Sequence, residues 1–328
     1  MNDKKIVSSS PHLRSKDTTS SIMLDVIIAL VPALIASVIF FGPRSLVLVL
    51  VCVASCVLSE YLSRKVMKRN NSIADLSAVV TGILLAFNLP VSFPLWMAVI
   101  GCVFAIVVVK QFFGGIGQNF VNPALAGRIM LMMSFPSQMG GWTAPFSWRN
   151  EVVTTATPLA SLTEIFKGGS FDGANVPTML EMFIGQRGGC LGEVSAIAIV
   201  LGGLYLIVRK VISPVIPLTY IGTVAVIMLI AGKGSFQFVG YELLGGGLML
   251  GAFFMATDYT TSPITNKGKL IYAVGCGLIT TAIRLFGSLP EGVSFSIIIM
   301  NILVPHIERL TTPKPFGTEK AKRKKEAE

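Results

Sequence analysis

Long apolar runs separated by short polar stretches fill the chain between residues 21 and 310. A membrane-spanning helix needs about 20 mainly apolar residues, and roughly ten segments approach that length. The alternating apolar and polar positions of a membrane barrel are not seen. The pattern therefore predicts an all-α integral membrane protein with about ten transmembrane helices, near residues 21–42, 45–63, 73–89, 94–113, 121–135, 192–208, 213–231, 241–257, 269–287 and 293–310.

Composition and charge agree with this prediction and orient it. Charged residues make up 13% of the chain, against about 25% in soluble domains. Most of the 27 Lys and Arg residues fall at the N-terminus, in alternate loops and in the tail. The positive-inside rule then predicts that both termini are cytoplasmic and that residues 136–190 are external. The net charge of +10 is best explained by anionic lipid or partner subunits at the basic tail, without nucleic acid binding.

A weak internal repeat predicts how the helices are organised. Residues 99–112 align without gaps over residues 273–286, which pairs Lys110 with Arg284. An odd number of spans in each half gives two inverted five-helix repeats. The predicted organisation is a cytoplasmic N-terminal segment, a first repeat, an external connector, a second repeat and a basic cytoplasmic tail, with bounds 1–20, 21–135, 136–190, 191–310 and 311–328.

A glycine–asparagine motif follows the fourth predicted span. Glycines at 114, 115 and 117 permit tight turns, Asn119 and Asn122 offer side-chain amides, and Pro123 suits the first turn of a new helix. Such a helix start can hold the carbonyls of a heterocycle or a phosphate. The residues by themselves favour the other interpretation, a structural re-entrant turn. Asp258 lies where the eighth predicted span gives way to a hydroxyl-rich segment at membrane depth.

Three threonine hydroxyls, on Thr154, Thr155 and Thr157, lie within four positions of the external connector. Because Thr157 precedes Pro158, its backbone is biased toward an extended conformation that exposes the side chain. A hydroxyl in that setting is open to group-transfer chemistry. The alternative is a hydroxyl-rich turn or a helix cap. The five cysteines form no metal or disulfide framework, and they are interpreted as small buried apolar residues.

Four stretches together resemble one family of membrane subunits. They are Gly114–Arg128, Thr154–Leu159, Gly251–Pro263 and Pro290–Arg309. The family includes the D subunit of the Rnf ferredoxin:NAD oxidoreductase complex and the related B subunit of the sodium-translocating NADH:quinone reductase. With the hydrophobic profile, the resemblance covers nearly the whole chain from the first predicted span to the last. The length suits the Rnf protein better than the longer quinone-reductase protein.

The resemblance implies a flavoprotein. In this family an S-G-A-T-like tetrapeptide carries FMN through a phosphoester on its last threonine, which corresponds to Thr157 here. The first two positions depart from S-G, so Thr154 and Thr155 remain fallback attachment sites. The family also implies a noncovalent, riboflavin-like flavin near Asn119 and Asn122. The family further implies that electron transfer is coupled to Na⁺ or H⁺ movement. Asp258 is then a candidate residue of the ion path.

The family also implies a setting and partners. The expected location is the cytoplasmic membrane of a bacterium or archaeon, with other membrane and peripheral subunits, including a second flavin-bearing subunit and iron–sulfur subunits. Two rival interpretations stay open on architecture alone, because fold does not fix function. They are a solute channel or secondary transporter without a redox role, and a structural scaffold for a complex.

Overall fold

The computed structural model describes residues 17–149, 159, 162, 177–193, 195–287 and 291–313. Regular structure in these ranges is helical, as predicted. The helices are α1 Thr19–Phe41, α2 Pro43–Val66, α3 Ser77–Phe87, α4 Leu95–Gln111, α5 Pro123–Ser134, α6 Pro136–Met139, α7 Met179–Ile184, α8 Ala196–Val208, α9 Val215–Ala231, α10 Phe236–Leu244, α11 Leu248–Met255, α12 Asn266–Phe286 and α13 Val293–Thr311. The second part of α4, Phe104–Gln111, is a π-helix.

Local sequence signals explain where the first two helices begin and end. Thr18 caps α1, because its hydroxyl accepts from the Ser21 backbone N–H at 3.2 Å and its own N–H donates to the Ser21 hydroxyl at 3.0 Å. Gly42, with φ of +78°, is the single residue between α1 and α2. Pro43 then opens α2, where its missing N–H costs nothing. One glycine therefore reverses the chain between two long apolar helices.

The apolar helices have the lengths and surfaces of a multi-span membrane protein. Four helices (α1, α2, α12 and α13) are long and apolar enough to cross a bilayer alone, and α10 and α11 pass the same test only as a pair, which is bent by 65° at a short break. The other predicted spans correspond to shorter apolar helices. Large apolar side chains remain exposed on the outer helices, for example Ile35, Leu50 and Val208. Exposed apolar surface of this kind suits a lipid environment.

The packing follows the predicted two-fold repeat. In the first half α2 packs on α4, and α4 packs on α5; in the second half α9 packs on α12, and α12 packs on α13. Across the halves, α1 packs on α8 and α5 contacts α13, which are the equivalent first and fifth spans. The aligned pair Lys110 and Arg284 is buried in both halves, and each side chain pairs with a glutamate.

The α1–α8 crossing brings two backbones into close contact. A Cβ added to Gly202 would collide with the backbone carbonyl oxygen of Ala29 in α1, whereas one added to Gly222 in α9 meets nothing within 4 Å. Small residues permit such close approach between membrane helices. The junction between the two halves therefore depends on the absence of a side chain at Gly202.

We expect Gly202→Ala to lower the free energy of unfolding by about 1–3 kcal/mol, because a backbone atom cannot move aside as a side chain can. Gly222→Ala is the matched control, since it makes the same change in a helix at a position with open space around it. Equilibrium unfolding in detergent measures both. Equal stability of the two variants would contradict the tight crossing.

Short and broken helices meet in the middle of the molecule. Asn122, at the start of α5, donates from Nδ2 to the carbonyl of Met255, at the end of α11, at 3.3 Å. Asn88, just after α3, donates to the sulfur of the same Met255 at 3.7 Å. Irregular backbone at membrane depth needs protein partners of this kind. These contacts join the two halves and position the loops that border the cavity described below.

Candidate functional site

A cavity of about 290 Å³ contains three of the residues singled out in the sequence, Asn119, Asn122 and Asp258. Asn119 and Asn122 come from the loop before α5, and Asp258 follows α11 in the other half. The starts of α1 and α3 and the ends of α4 and α8 complete the wall. The structure therefore brings two motifs from opposite halves of the sequence to one site.

The wall is mainly apolar, with a few polar groups that converge from different elements. Ile22, Val26, Leu84 and Phe254 are among the apolar side chains that line the cavity. A concave, mostly apolar site with a few placed polar groups is the usual form of a cofactor pocket. The wall therefore has the composition of a site for a small organic molecule.

The two asparagines differ in how much of their amide remains free. The Asn122 Oδ1 caps α5 by accepting from the N–H groups of Ala124 at 3.0 Å and Leu125 at 3.4 Å, while its Nδ2 binds Met255. Asn119 Nδ2 donates to the Val121 carbonyl at 3.2 Å. Within the described ranges, nothing donates a hydrogen bond to the Asn119 Oδ1. Asn119 is therefore the better candidate ligand, and Asn122 mainly fixes the start of α5.

Lys110 is a cavity residue that the sequence interpretation missed. By the positive-inside rule Lys110 counts among the basic residues of the cytoplasmic side, but the structure buries it in the last turns of α4, with a side chain 3% exposed. Its Nζ donates to Glu60 Oε2 at 2.7 Å and to the Ser77 hydroxyl at 2.6 Å. The sequence feature that could have singled out Lys110 is its alignment with Arg284 in the internal repeat. A fixed positive charge thus lies in the wall of the cavity.

Asp258 is held by the hydroxyl-rich segment that follows it. Its Oδ2 accepts from the hydroxyls of Thr260 at 3.1 Å and Thr261 at 3.2 Å. Thr260 and Thr257 also line the cavity. The predicted change from helix to irregular backbone at this point is confirmed, because α11 ends at Met255. Asp258 therefore presents an oriented carboxylate near the cavity.

The start of α1 lies at the cavity, because Thr19 lines it. Near the end of α13, the Glu308 carboxylate accepts from the Ile264 N–H at 3.2 Å, and the Thr265 and Thr311 hydroxyls are hydrogen-bonded at 2.8 Å. These contacts fix the end of α13 to the segment that follows Asp258.

A second set of buried charges lies outside the cavity wall. Arg128, Glu193 and Glu242 fall within predicted spans, and each is at most 5% exposed. Arg284 Nη1 contacts Glu242 Oε2 at 3.1 Å, and Arg128 pairs with Glu291. All five cysteines are buried, as predicted. No metal-binding group of three or more His, Cys, Asp or Glu side chains occurs in the described ranges.

The predicted flavin-attachment residue Thr157 lies outside the described residues, as do Thr154 and Thr155. Leu159 is the part of that tract which the structure describes. It is 4% exposed and packs against Gly245 and Gly246, after α10. This contact lies near Arg284, at the end of the molecule opposite the cavity.

Comparison with known proteins decides the family. Residues 6–317 match the family described as NQR2, RnfD, RnfE. The chain belongs to this family. It is 50% identical over 323 residues to the D subunit of the Na⁺-translocating ferredoxin:NAD⁺ oxidoreductase complex of Acetobacterium woodii, with 98% of each chain covered.

Two further relatives match along almost their whole length. The chain is 42% identical to the D subunit of the proton-translocating ferredoxin:NAD⁺ oxidoreductase complex of Clostridium ljungdahlii, with 96% of each chain covered. It is 34% identical to the D subunit of the ion-translocating oxidoreductase complex of Escherichia coli (strain K12 / DH10B), with 96% of this chain and 99% of the relative covered. The resemblance inferred from four sequence stretches is therefore confirmed over nearly the whole chain.

Proposed function

We propose that this chain is the D-type membrane subunit of an ion-translocating electron-transport complex of the ferredoxin:NAD⁺ oxidoreductase kind. The observation that carries the proposal is its 50% identity, over 98% of both chains, to a protein with that role in its name. It acts as one subunit of an oxidoreductase and is not a complete enzyme. The similarity to redox-complex subunits favours this function over the channel, transporter and scaffold alternatives.

The first part of the electron-transfer role is a covalent FMN on Thr157. The support is the tetrapeptide Thr154–Thr157 in a connector between two helical halves, together with the family resemblance. Flavin supplies one-electron and two-electron redox chemistry when bound, while the protein supplies its placement and electrostatics. Thr157 serves as a tether without an acid–base role.

The second part is a noncovalent, riboflavin-like flavin in the cavity. The cavity volume of about 290 Å³ lies close to the lower end of the range for ligand pockets, about 300–1,000 Å³. The side-chain Oδ1 of Asn119 is available to accept a hydrogen bond from a ring N–H. The Lys110 ammonium, which is paired with Glu60, also lies in the wall. Asp258, with its two threonine donors, is the proposed ion-path residue beside it.

The orientation follows from the charge pattern. The start of α1 lies at the cavity, and the sequence before α1 carries Lys4, Lys5, Arg14 and Lys16, so we assign the cavity end to the cytoplasmic side. The connector with Thr157 then lies on the outer face. Electrons that reach an outer flavin must cross the membrane through cofactors of other subunits. The family resemblance implies a second flavin-bearing subunit and iron–sulfur subunits as those partners.

The complex itself provides the direct test of the proposed function. Affinity purification through a tag on this chain, in mild detergent, is expected to yield further membrane and iron–sulfur subunits and ferredoxin-dependent NAD⁺ reduction. A homogeneous single chain that transports a solute in vesicles, from cells that express the neighbouring subunits, would contradict it.

We expect Asn119→Ala to weaken noncovalent flavin binding by about tenfold, and so to lower the flavin content of the purified complex, because one hydrogen bond to a buried partner is worth about 1–1.5 kcal/mol. Flavin released by denaturation and separated by chromatography gives the measurement. Asn71→Ala is the control, since Asn71 is an exposed asparagine in the loop after α2. An unchanged content of released flavin in Asn119→Ala would remove Asn119 from the site.

A further inference from the structure

A buried network of charges lies at the end of the molecule opposite the cavity. Its members come from α5, the segment between α7 and α8, α10, α12 and the segment just before α13. They are Arg128, Arg187, Glu193, Glu242, Arg284 and Glu291. Five of the six are at most 5% exposed, and the Glu291 side chain is 14% exposed. Buried charges need defined partners, since each would otherwise be better solvated by water.

Two carboxyl groups of this network face each other. Arg128 Nη1 lies 3.2 Å from Glu291 Oε1 and 3.8 Å from Glu193 Oε1. A Cβ placed on Gly247 would lie 2.6 Å from Glu291 Oε1 and 3.1 Å from Glu193 Oε1, so both oxygens line the same glycine backbone. Two carboxylates this close repel each other unless something positive lies between them.

The hydrogen bonds of the nearest guanidinium groups go elsewhere than Glu193 Oε1. Arg128 binds Glu291 with both terminal nitrogens. Arg187 Nη2 donates to the backbone carbonyl of Glu193, and its buried Nη1 has no hydrogen-bond partner within the described ranges. Glu193 Oε1 is buried and accepts no hydrogen bond within the described ranges. One donor is therefore missing at the contact between the two carboxyl groups.

The other charged and titratable neighbours do not supply that donor. Arg284, from α12, is committed to the Glu242 carboxylate and to the carbonyls of Glu242 and Gly245. The Cys190 thiol donates to the Asn88 carbonyl at 3.2 Å. Burial lowers the pKa of Arg187 to about 10, so it remains charged at neutral pH. A single guanidinium, that of Arg128, thus contacts two carboxyl groups.

The identity of the missing group follows from the same contacts. A metal cation between the carboxyls would stand against the Arg128 guanidinium, and the described ranges contain no metal-ligand cluster. A proton fits, because a protonated carboxyl donates one hydrogen bond to its neighbour. We propose that Glu193 and Glu291 share one proton and form a buried proton-binding site. Glu291 is the more exposed partner, with a side chain 14% exposed against 6% for Glu193, and it provides the route of exchange with water. This proposal does not depend on flavin binding.

Infrared spectroscopy of the purified full-length protein in its complex tests the proposal. The difference between the wild type and Glu193→Gln is expected to contain the C=O stretch of a protonated carboxyl at neutral pH. Glu291→Gln is expected to lose the same band, because the remaining Glu193 then pairs with Arg128 and ionises. Glu181→Gln is the control, since Glu181 lies in the 136–190 connector, outside this network, and caps α7. Absence of the band from either difference spectrum overturns the shared proton.

The pH dependence of stability provides a second measurement. A proton held more tightly in the folded chain than in the unfolded chain stabilises the fold at low pH, and this contribution is lost as the pH rises. The wild-type melting temperature is therefore expected to fall more steeply with rising pH than that of Glu193→Gln or Glu291→Gln. Parallel curves for all three proteins would overturn the proposal. If a variant fails to fold, the infrared band of the wild type is followed as the pH rises. Loss of the C=O band supports the shared proton, and absence of the band at every pH overturns it.

Discussion

Thr157→Ala is expected to abolish the flavin fluorescence of this chain on a denaturing gel under ultraviolet light. A phosphoester survives denaturation, whereas a noncovalent flavin is released, so the gel reports only the tethered group. The effect is a complete loss, because the variant removes the one oxygen that forms the bond. Covalent attachment at Thr157 is thereby separated from flavin in the cavity.

Neighbouring hydroxyls provide the matched controls for this experiment. Thr154→Ala and Thr155→Ala are expected to keep the fluorescence, since each removes a hydroxyl from the same tract without touching Thr157. The host must attach flavin to a known acceptor of this kind, tested on the same gel. In that host, a dark wild-type band contradicts covalent flavin, and a bright Thr157→Ala band moves the attachment to another residue.

Lys110→Met is expected to lower the free energy of unfolding by about 3–5 kcal/mol, because it leaves a buried carboxylate without its charge partner. Glu60 is fully buried, and Lys110 Nζ is 2.7 Å from its Oε2. The Ser72 hydroxyl also donates to Glu60, but a neutral donor does not compensate the charge. Equilibrium unfolding of the purified chain in detergent gives the measurement.

A double variant separates the ion pair from general packing. Adding Glu60→Gln to Lys110→Met is expected to recover most of the lost stability, because no uncompensated buried charge then remains. Lys65→Met, at an exposed position near the end of α2, is the matched control and should change little. If the double variant is no more stable than Lys110→Met, the loss comes from packing around Lys110 and the ion-pair explanation fails.

The sequence predicted the cavity residues in separate pieces. The glycine–asparagine motif singled out Asn119 and Asn122, and the end of the eighth span singled out Asp258. Their convergence could not be predicted, because it depends on how α5 and α11 meet through the contact between Asn122 and Met255. The interpretation of the motif as a structural turn also holds in part, because Asn122 caps α5. The side-chain Oδ1 of Asn119 accepts no hydrogen bond within the described ranges, while its Nδ2 donates to Val121.

The buried charges show what a linear pattern cannot distinguish. Lys110 follows an apolar run, as a cytoplasmic surface lysine would, and Glu193 precedes one, as an interfacial glutamate would. In the structure both are buried, because helices from elsewhere in the chain cover them. Their partners Glu60 and Arg128 are 50 and 65 residues away. Periodicity carries no information about contacts at such separations.

By itself, the sequence determined the all-α membrane architecture, the helix positions, the repeat and the family, because apolar length, charge bias and local motifs are properties of short segments. It also singled out Thr157, whose role stays a prediction. Only the tertiary structure decided which polar residues share the cavity and which buried charges pair. Those outcomes depend on how the two halves pack, and the free energy of a buried charge is set by neighbours distant in the chain.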